Sequence, residues 1–413
     1  MAHIAVAIPS LGIGGAERTV LTVARGLAAR GHAVDLVLFI PQLAYPGELP
    51  TAARLFVLCG RRKWEERSPD MDVLAQWREA RASLMQGAKL AAGLLRDFPG
   101  VAPVMLHRRA LERALRLHRY VEREKPDILF ANLRSSEIAA FHAARIGRSR
   151  AFPPVVPVAH GVETPKSRRA RRRRIFFRSA AQIVAVSHGV SESISLATDV
   201  PKERISIIYN PTDIPAVRRR AEEAPGHPWF GDGGPPVVLG AGRLVPVKEF
   251  PTLVEAFRHV LAERPCRLVV LGEGPMRAEI EDRVRGLGLD AHVSLPGWVE
   301  NPYAFMARAA LFVLSSRHEG LGNVLVEALA CGCPAVSTDC PGGPAEILRD
   351  PDLLAPVGDA RALARAMLRA LSRKTSEASL RAKASPFGAE RAIDRYDDLI
   401  SRLLAGHETE RPA

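Results

Sequence analysis

Leu311-Phe-Val-Leu314, Ser-Ser-Arg-His, then Glu319-Gly-Leu-Gly-Asn-Val-Leu-Val-Glu327 running into Ala-Leu-Ala-Cys-Gly-Cys-Pro334 reads as a strand, a glycine-rich turn and a helix. The four unbroken apolar residues suit a strand buried on both faces of a parallel sheet. The next apolar run, Pro334–Ser337, then follows as another strand, which makes this stretch one turn of an α/β winding. The same stretch carries chemistry. Two carboxylates stand in an E-x7-E arrangement, and between them two glycines expose backbone amides at a helix start, where the helix dipole favours an anion. Such a segment is equipped to hold a diphosphate and to grip sugar hydroxyls beside it.

The strand–helix rhythm extends over the whole chain. A first series comprises His3–Ile8, a helix from about Gly15 to Arg30, Val34–Ile40, Leu55–Leu58, Asp127–Ala131, Val155–Ala159 and Gln182–Val186. A second comprises Val237–Ala241, Arg267–Leu271, His292–Leu295, Leu311–Leu314 and Pro334–Ser337. At 413 residues the chain exceeds one core of ordinary size. The reading is therefore a first domain over 1–210, a Pro- and Gly-rich linker over 211–236, and a second domain over 237–385. A terminal helix over 386–413 is expected to pack back on the first domain. Residues 61–119 show no convincing strand and read as an arginine-rich helical insertion. Its Leu84, Leu90, Leu94 and Leu95 suit either the core or a partner.

Composition narrows the class. The chain is 47% hydrophobic, and no apolar run is long enough to span a bilayer. No basic segment and cleavage site precede the first strand, so no secretory signal is expected. Cys59, Cys266, Cys331, Cys333 and Cys340 are scattered, and no His stands at zinc-type spacing from them. They read as reduced packing residues in a cytoplasmic protein. The net charge of +13 favours polyanionic partners without choosing between nucleic acid and an acidic lipid surface.

Other motifs fall at strand ends. Gly12-Ile-Gly14-Gly15-Ala-Glu17 follows the first strand and opens a helix, as a dinucleotide-binding loop does. Two features oppose that reading. Glu17 replaces the third glycine, and Asp35 starts the second strand where a ribose-binding acid belongs at its end. Glu17 then serves as a first-turn carboxylate complementing the dipole. Gly240-Ala-Gly242-Arg243-Leu-Val-Pro-Val-Lys248 places two cations beyond a strand end, suited to a diphosphate and equally common as surface charge. His160 ends the strand Val155–Ala159; position alone fits a ligand contact or a structural histidine. Glu327 lies among Val324, Leu325, Val326, Ala328 and Leu329, where a ribose diol is a suitable neutral partner.

In order and spacing, these motifs resemble the retaining GT-B glycosyltransferases of family 4 over nearly the whole chain. The resemblance is carried by Gly14-Gly15-Ala-Glu17, His160, Tyr209-Asn210-Pro211, Gly242-Arg243 with Lys248, and Gly272-Glu-Gly-Pro275. It continues through Gly297-Trp298, Glu319 to Glu327 and Pro341-Gly-Gly-Pro344-Ala-Glu-Ile. It implies two Rossmann-like doubly wound α/β domains with a cleft between them, and a nucleotide-sugar donor, UDP-linked by preference. It further implies that Arg243 and Lys248 bind the donor diphosphate and Glu327 the ribose. Glu319 with Gly320, Leu321, Gly322, Asn323 and Val324 would hold sugar and phosphates, Gly14 and Gly15 would cover the donor, and His160 would contact the donor sugar. Gly242 supports the cation loop, and Trp298 lies near the base. Asn210-Pro211 departs from the usual Asn-Gly and Leu321 from a frequent Phe; neither position is assigned chemistry. No D-x-D motif ends a first-domain strand, so no metal or cofactor is expected.

Pro165-Lys-Ser-Arg-Arg-Ala-Arg-Arg-Arg-Arg-Ile-Phe-Phe-Arg178 reads either as a solvated helix face or as an anion-seeking one. On the second reading Arg168, Arg169, Arg171, Arg172, Arg173, Arg174, Phe176 and Phe177 meet an anionic membrane or the acceptor. A peripheral location on the inner face of the cell membrane, and a saccharide or lipid-linked saccharide acceptor, follow from it. A sugar-nucleotide epimerase or phosphorylase of the same fold is the enzyme rival. A nucleic-acid binder accounts for the arginines and leaves the glycine loops and paired glutamates without a role.

Overall fold

The computed structural model describes residues 1–12, 14–44, 46–58, 102–146, 152–165, 167–231 and 233–409. Readings that fall on 61–101, including the four leucines of the insertion, lie outside these residues, as does Cys59. The described part of the insertion is a single helix, Ala102–Glu124.

Two compact units form. The first is Met1–Ala185 with Ser193–Ile208 and Ala392–Ala413; the second is Val186–Glu192 with Tyr209–Arg391. The first unit holds β1 (His3–Ile8), β2 (Ala33–Leu38), β3 (Ala53–Val57), β4 (Ile128–Asn132), β5 (Val155–Ala159), β6 (Ile183–Ala185) and β7 (Ile205–Ile207). They pair in the order β3-β2-β1-β4-β5-β6-β7, every pair parallel. The second unit holds β8 (Val237–Ala241), β9 (Arg267–Leu271), β10 (Val293–Gly297), β11 (Leu311–Leu314), β12 (Ala335–Thr338) and β13 (Leu354–Ala355). Its order is β10-β9-β8-β11-β12-β13, again parallel throughout. Each sheet reverses its winding once, at β1/β4 and at β8/β11. In open α/β sheets that reversal opens a crevice beyond the carboxyl ends of the strands, where ligands bind.

Burial explains the strands. All five residues of β4 and all five of β8 are buried, as sheets covered on both faces require. In the second unit Leu253, Phe257 and Val260 of the helix Phe250–Glu263 share a core with Leu363 and Met367 of Ala360–Ser372. These apolar residues recur every three or four positions, the stripe by which a surface helix docks. The strand β10 continues past Leu295 through an irregular register to Gly297, because Pro296 has no amide for the ladder.

Asp35, fully buried in β2, takes hydrogen bonds from Arg54 Nε (2.7 Å), Arg54 Nη2 (2.9 Å) and Tyr120 Oη (2.5 Å), and lies 2.8 Å from His3 Nε2. It belongs to a structural ion cluster near the amino ends of the strands, in keeping with the case against a dinucleotide loop.

The stretch read as a linker is folded onto the second unit, which corrects the 211–236 boundary. Asp213 caps the helix Ile214–Ala221 by accepting from Ala216 N. The backbone that follows is bound by side chains: Asn301 Nδ2 to Arg220 O (2.7 Å), Arg308 Nη1 to Ala221 O (3.1 Å) and His227 Nε2 near Ser294 Oγ (3.1 Å). Phe230 packs edge-on against Phe305, and the Arg267 guanidinium covers Trp229. Proline and glycine here mark ordered coil whose polar groups are satisfied. The helix Ala389–Thr409 contributes Ala392 onward to the first unit, with Asp397 2.8 Å from His32, Asp394 on Arg30 and Tyr396 edge-on to Phe130.

Candidate active site

The second unit assembles its site at the β8/β11 reversal. Beyond β8 the chain passes Gly242 and Arg243 into a short 3-10 turn, Pro246–Lys248. Beyond β11 it passes Ser315 and Ser316 into the Glu319 loop. The two loops are tied together: Lys248 Nζ donates to Glu319 Oε1 at 2.6 Å, Ser316 Oγ donates to the same oxygen at 2.6 Å, and Ser315 Oγ donates to Lys248 O at 2.7 Å. Both charged side chains are mostly buried, 19% and 13% exposed, so neither is ordinary surface charge. Arg243 is exposed and makes no ion pair among the described residues.

The helix Asn323–Ala330 starts from Gly322, whose φ of +91° is open to glycine and strained for other residues. No side chain caps this helix start, and the Leu325 amide turns back to Gly322 O at 2.9 Å; a helix start of this kind suits an anion. The loop ahead of it is clamped. Glu319 N donates to Pro341 O at 3.0 Å, and a Cβ at Gly342 (φ +127°) would come within 2.2 Å of Glu319 O. Leu321 is buried, and Gly320, Asn323, Val324 and Glu327 are half-buried. Trp298 stands 52% exposed at the end of β10, on the same carboxyl edge.

Three contributors escaped the sequence reading. Asn210 Nδ2 donates to Asn323 Oδ1 at 2.9 Å, so a position assigned no chemistry orients a residue of the site. Ser187 Oγ donates to Gly320 O at 2.8 Å. Glu346 takes the backbone amides of His188 and Gly189 and the Tyr209 hydroxyl at 2.9–3.0 Å, securing the segment that carries Ser187. Only Tyr209-Asn210 and Glu346 left a trace in the sequence, as parts of quoted motifs. Ser187 lies too far along the chain for spacing to reveal it.

In the first unit, Gly14 and Gly15 lie beyond β1 at the start of the helix Gly15–Ala29, and Glu17 stands in its first turn with its carboxylate folded against Gly14. His160, at the end of β5, has Nε2 2.9 Å from Asn132 Oδ1 at the end of β4. Burial, helped by the Arg173 charge, pushes the His160 imidazole down to about 4.

The arginine run forms the helix Arg168–Ser179, capped by Ser167 Oγ accepting from Ala170 N. Its residues do not share one face, which corrects their reading as a single membrane or acceptor surface. Arg173 is buried, with Nε on Glu137 at 2.8 Å, Nη2 on the other Glu137 oxygen and Nη1 on Glu163. Burial works against its charge, yet the two carboxylates hold it above the ordinary guanidinium value. Phe177 is buried beneath the Arg173 guanidinium. Phe176 packs at 4.1 Å on Phe141. Arg174 pairs with Asp199, Arg171 is exposed, and Ile175 is 58% exposed. The side chains of Arg168, Arg169 and Arg172 lie outside the described residues.

Cys266, Cys331, Cys333 and Cys340 are buried free thiols, and burial pushes Cys331 and Cys340 up to about 12. Thiols so raised are poor nucleophiles. Among the described residues no three His, Cys, Asp or Glu side chains converge as metal ligands, and no helix is long and apolar enough to cross a membrane.

A cation and a carboxylate at one sheet edge, beside an uncapped helix start, can grip a phosphate and a hydroxyl together. Comparison with known proteins gives the family. Residues 13–215 match the family described as Glycosyltransferase Family 4, and residues 235–373 that described as Glycosyl transferases group 1. The lipopolysaccharide core biosynthesis glycosyltransferase LpsE of Rhizobium meliloti is 31% identical over 76% of this chain and 87% of its own length. The N-acetylgalactosamine-N,N'-diacetylbacillosaminyl-diphospho-undecaprenol 4-alpha-N-acetylgalactosaminyltransferase of Campylobacter jejuni is 30% identical over 43% of this chain and 46% of its own. Anabaena Alr3699/HepE, solved in complex with UDP and glucose, superposes with a TM-score of 0.72 over 97% of this chain and all of its own, at 20% identity. That likeness establishes the fold, two Rossmann-like domains of the GT-B type.

Proposed function

This chain belongs to glycosyltransferase family 4, and from that membership we propose that it moves a hexose or N-acetylhexosamine from a UDP-sugar to a lipid-linked saccharide in cell-surface glycan synthesis. The observation that carries the proposal is the Lys248–Glu319 pair at the β8/β11 reversal, beside the uncapped helix start. Lys248 and Arg243 neutralise the diphosphate, the amides from Gly320 to Val324 take its oxygens, Glu319 accepts from sugar hydroxyls, and Glu327 takes the ribose diol. Trp298 serves the base. Support for the donor comes from HepE, solved with UDP; support for the acceptor comes from the diphospho-undecaprenol in the Campylobacter enzyme's name and the lipopolysaccharide core in that of LpsE.

Transfer proceeds with retention and without a metal. The bond from C1 of the sugar to the diphosphate breaks, and its electron pair leaves with the phosphate, where Lys248, Arg243 and the helix start stabilise the growing charge. The acceptor hydroxyl bonds C1 from the same face and passes its proton to the departing phosphate oxygen. His160 contacts the donor sugar, and Gly14 and Gly15 cover it. The protein works from the inner membrane face, where exposed Arg171 and Ile175 on the helix Arg168–Ser179 meet anionic lipid; Arg173 and Phe177, being buried, take no part.

A thermal-shift and hydrolysis screen across UDP-, GDP- and ADP-sugars tests the donor, with UDP-sugars expected to stabilise and to turn over. Turnover of ADP- or GDP-sugars alone overturns that choice. Sedimentation with anionic liposomes tests docking: binding is expected to fall when Arg171 and Ile175 are replaced, and an absence of binding removes the membrane from the proposal.

A further inference from the structure

Asn132 does something unusual for its place. It ends β4 and stands at the N-cap of the helix Leu133–Ala143 with extended backbone. Asparagine is favoured there because its side-chain oxygen ordinarily accepts from an amide of the first helical turn. Here no such cap forms. The oxygen is spent on His160 Nε2 instead. The chain then leaves Asn132 through Leu133 at φ +61°, a left-handed conformation that strains a non-glycine residue. A cap is forgone and strain is stored at one spot, and the visible product is one hydrogen bond to a histidine ring.

That bond decides the state of the ring. An oxygen acceptor at Nε2 requires the proton there, which leaves the lone pair on Nδ1. Nδ1 is buried and has no partner among the described residues. A buried acceptor without a donor costs stability, and a ligand hydroxyl would recover it. The charged neighbours oppose protonation. Arg173 presents its cation from the helix Arg168–Ser179, while Glu137 on the helix after β4 and Glu163 on the loop after β5 are both engaged by that guanidinium.

We propose that Asn132 is a positioning residue that holds His160 as a neutral hydrogen-bond acceptor, so that Nδ1 receives a hydroxyl of the substrate sugar. The inference rests on the glycosyltransferase reading and adds to it a direction. His160 selects a group that donates, and it gives no proton to the reaction. A sugar carrying fluorine at the contacted hydroxyl is therefore a poor substrate, although it matches in size.

Imidazole nitrogen NMR on histidine-labelled protein, with His160 assigned through His160→Gln, reads the ring without turnover. The expected spectrum has Nε2 protonated and Nδ1 bare, and stays so until the pH approaches about 4. In Asn132→Asp a carboxylate replaces the amide and stabilises imidazolium. The ring then titrates at higher pH, and turnover acquires an acid-side loss of about tenfold per pH unit that disappears at alkaline pH. Asn132→Leu frees the ring and lowers kcat/KM about tenfold. A wild-type ring with the proton on Nδ1 overturns the proposal, even if both variants fail to fold. So does an Asn132→Asp enzyme with the wild-type pH profile. An inactive wild type with the expected spectrum overturns the transferase reading and leaves the ring assignment in place.

Discussion

The two sheets reverse in the same way, but their carboxyl edges are chemically opposite. At β8/β11 the polar groups that meet are ionic, Lys248 with Glu319, reinforced by two serine hydroxyls and a glycine-built helix start. At β1/β4 and the neighbouring β5 they are neutral, Asn132 with His160, while the ions Arg173 and Glu137 are pulled inside and Glu163, half-buried, joins the same guanidinium. On the reading proposed above, one architecture serves an anion at one edge and a hydroxyl at the other. The fold supplies the place, and the side chains at the strand ends supply the chemistry.

Several substitutions can break this contrast. The largest effect falls on the inner ions. Arg173→Ala strands Glu137 in the interior and is expected to cost about 3–5 kcal/mol in denaturant unfolding. Arg171→Ala, on the exposed side of the same helix, is expected to change stability by under about 0.5 kcal/mol. Equal effects from the two would mean that the helix does not divide its arginines between core and surface.

On the ionic edge, Lys248→Ala or Glu319→Ala is expected to lower turnover by about 10²–10³-fold with the fold retained by circular dichroism. Wild-type turnover in either variant would remove the site.

The neutral edge has a signature in acid. Burial pushes the His160 imidazole from the ordinary 6.5 down to about 4. The unfolded chain therefore binds a proton that the native one refuses, and stability present above 6.5 falls as pH drops through that window, by roughly 3 kcal/mol. His3 runs the other way. Its hydrogen bond to Asp35 raises it, so its contribution is complete below 6.5 and lost as pH climbs through the folded value. His160→Gln should flatten the acid side of the stability profile and His3→Gln the other side. A His160→Gln profile as steep in acid as wild type would deny the neutral ring.

The smallest expected effect is at Asn210. Asn210→Ala frees the Asn323 amide and should weaken donor binding by about five- to tenfold, near 1 kcal/mol, by calorimetry. An unchanged affinity would reduce Asn210 to packing.

Most of the winding was legible in the sequence, because buried parallel strands are short apolar runs and eleven of them stood out between helices. β7 and β13 were not, since Ser206 interrupts the apolar run of the first and the second has only two residues. The segment over 211–236 misled, because proline and glycine report backbone conformation and leave unsaid which side chains capture the carbonyls. Arg173 and Phe177 misled for a related reason. A run of arginines reads as one surface until the partners of each are known, and Glu137 and Glu163 are 36 and 10 residues away. Lys248 and Glu319 stood out as candidates from their glycine-flanked positions at strand ends. Their contact, across 71 residues, was not. Asn132 was invisible for want of any motif around it.

Calorimetric titration of UDP into the wild-type protein and the Lys248→Ala variant tests the central claim most directly, because it isolates the ionic edge from acceptor and chemistry. The wild type should bind, and the variant should bind about tenfold or more weakly, the loss of one charge-assisted contact to phosphate. Equal affinity in the two proteins would contradict the assignment of the β8/β11 edge to the donor diphosphate.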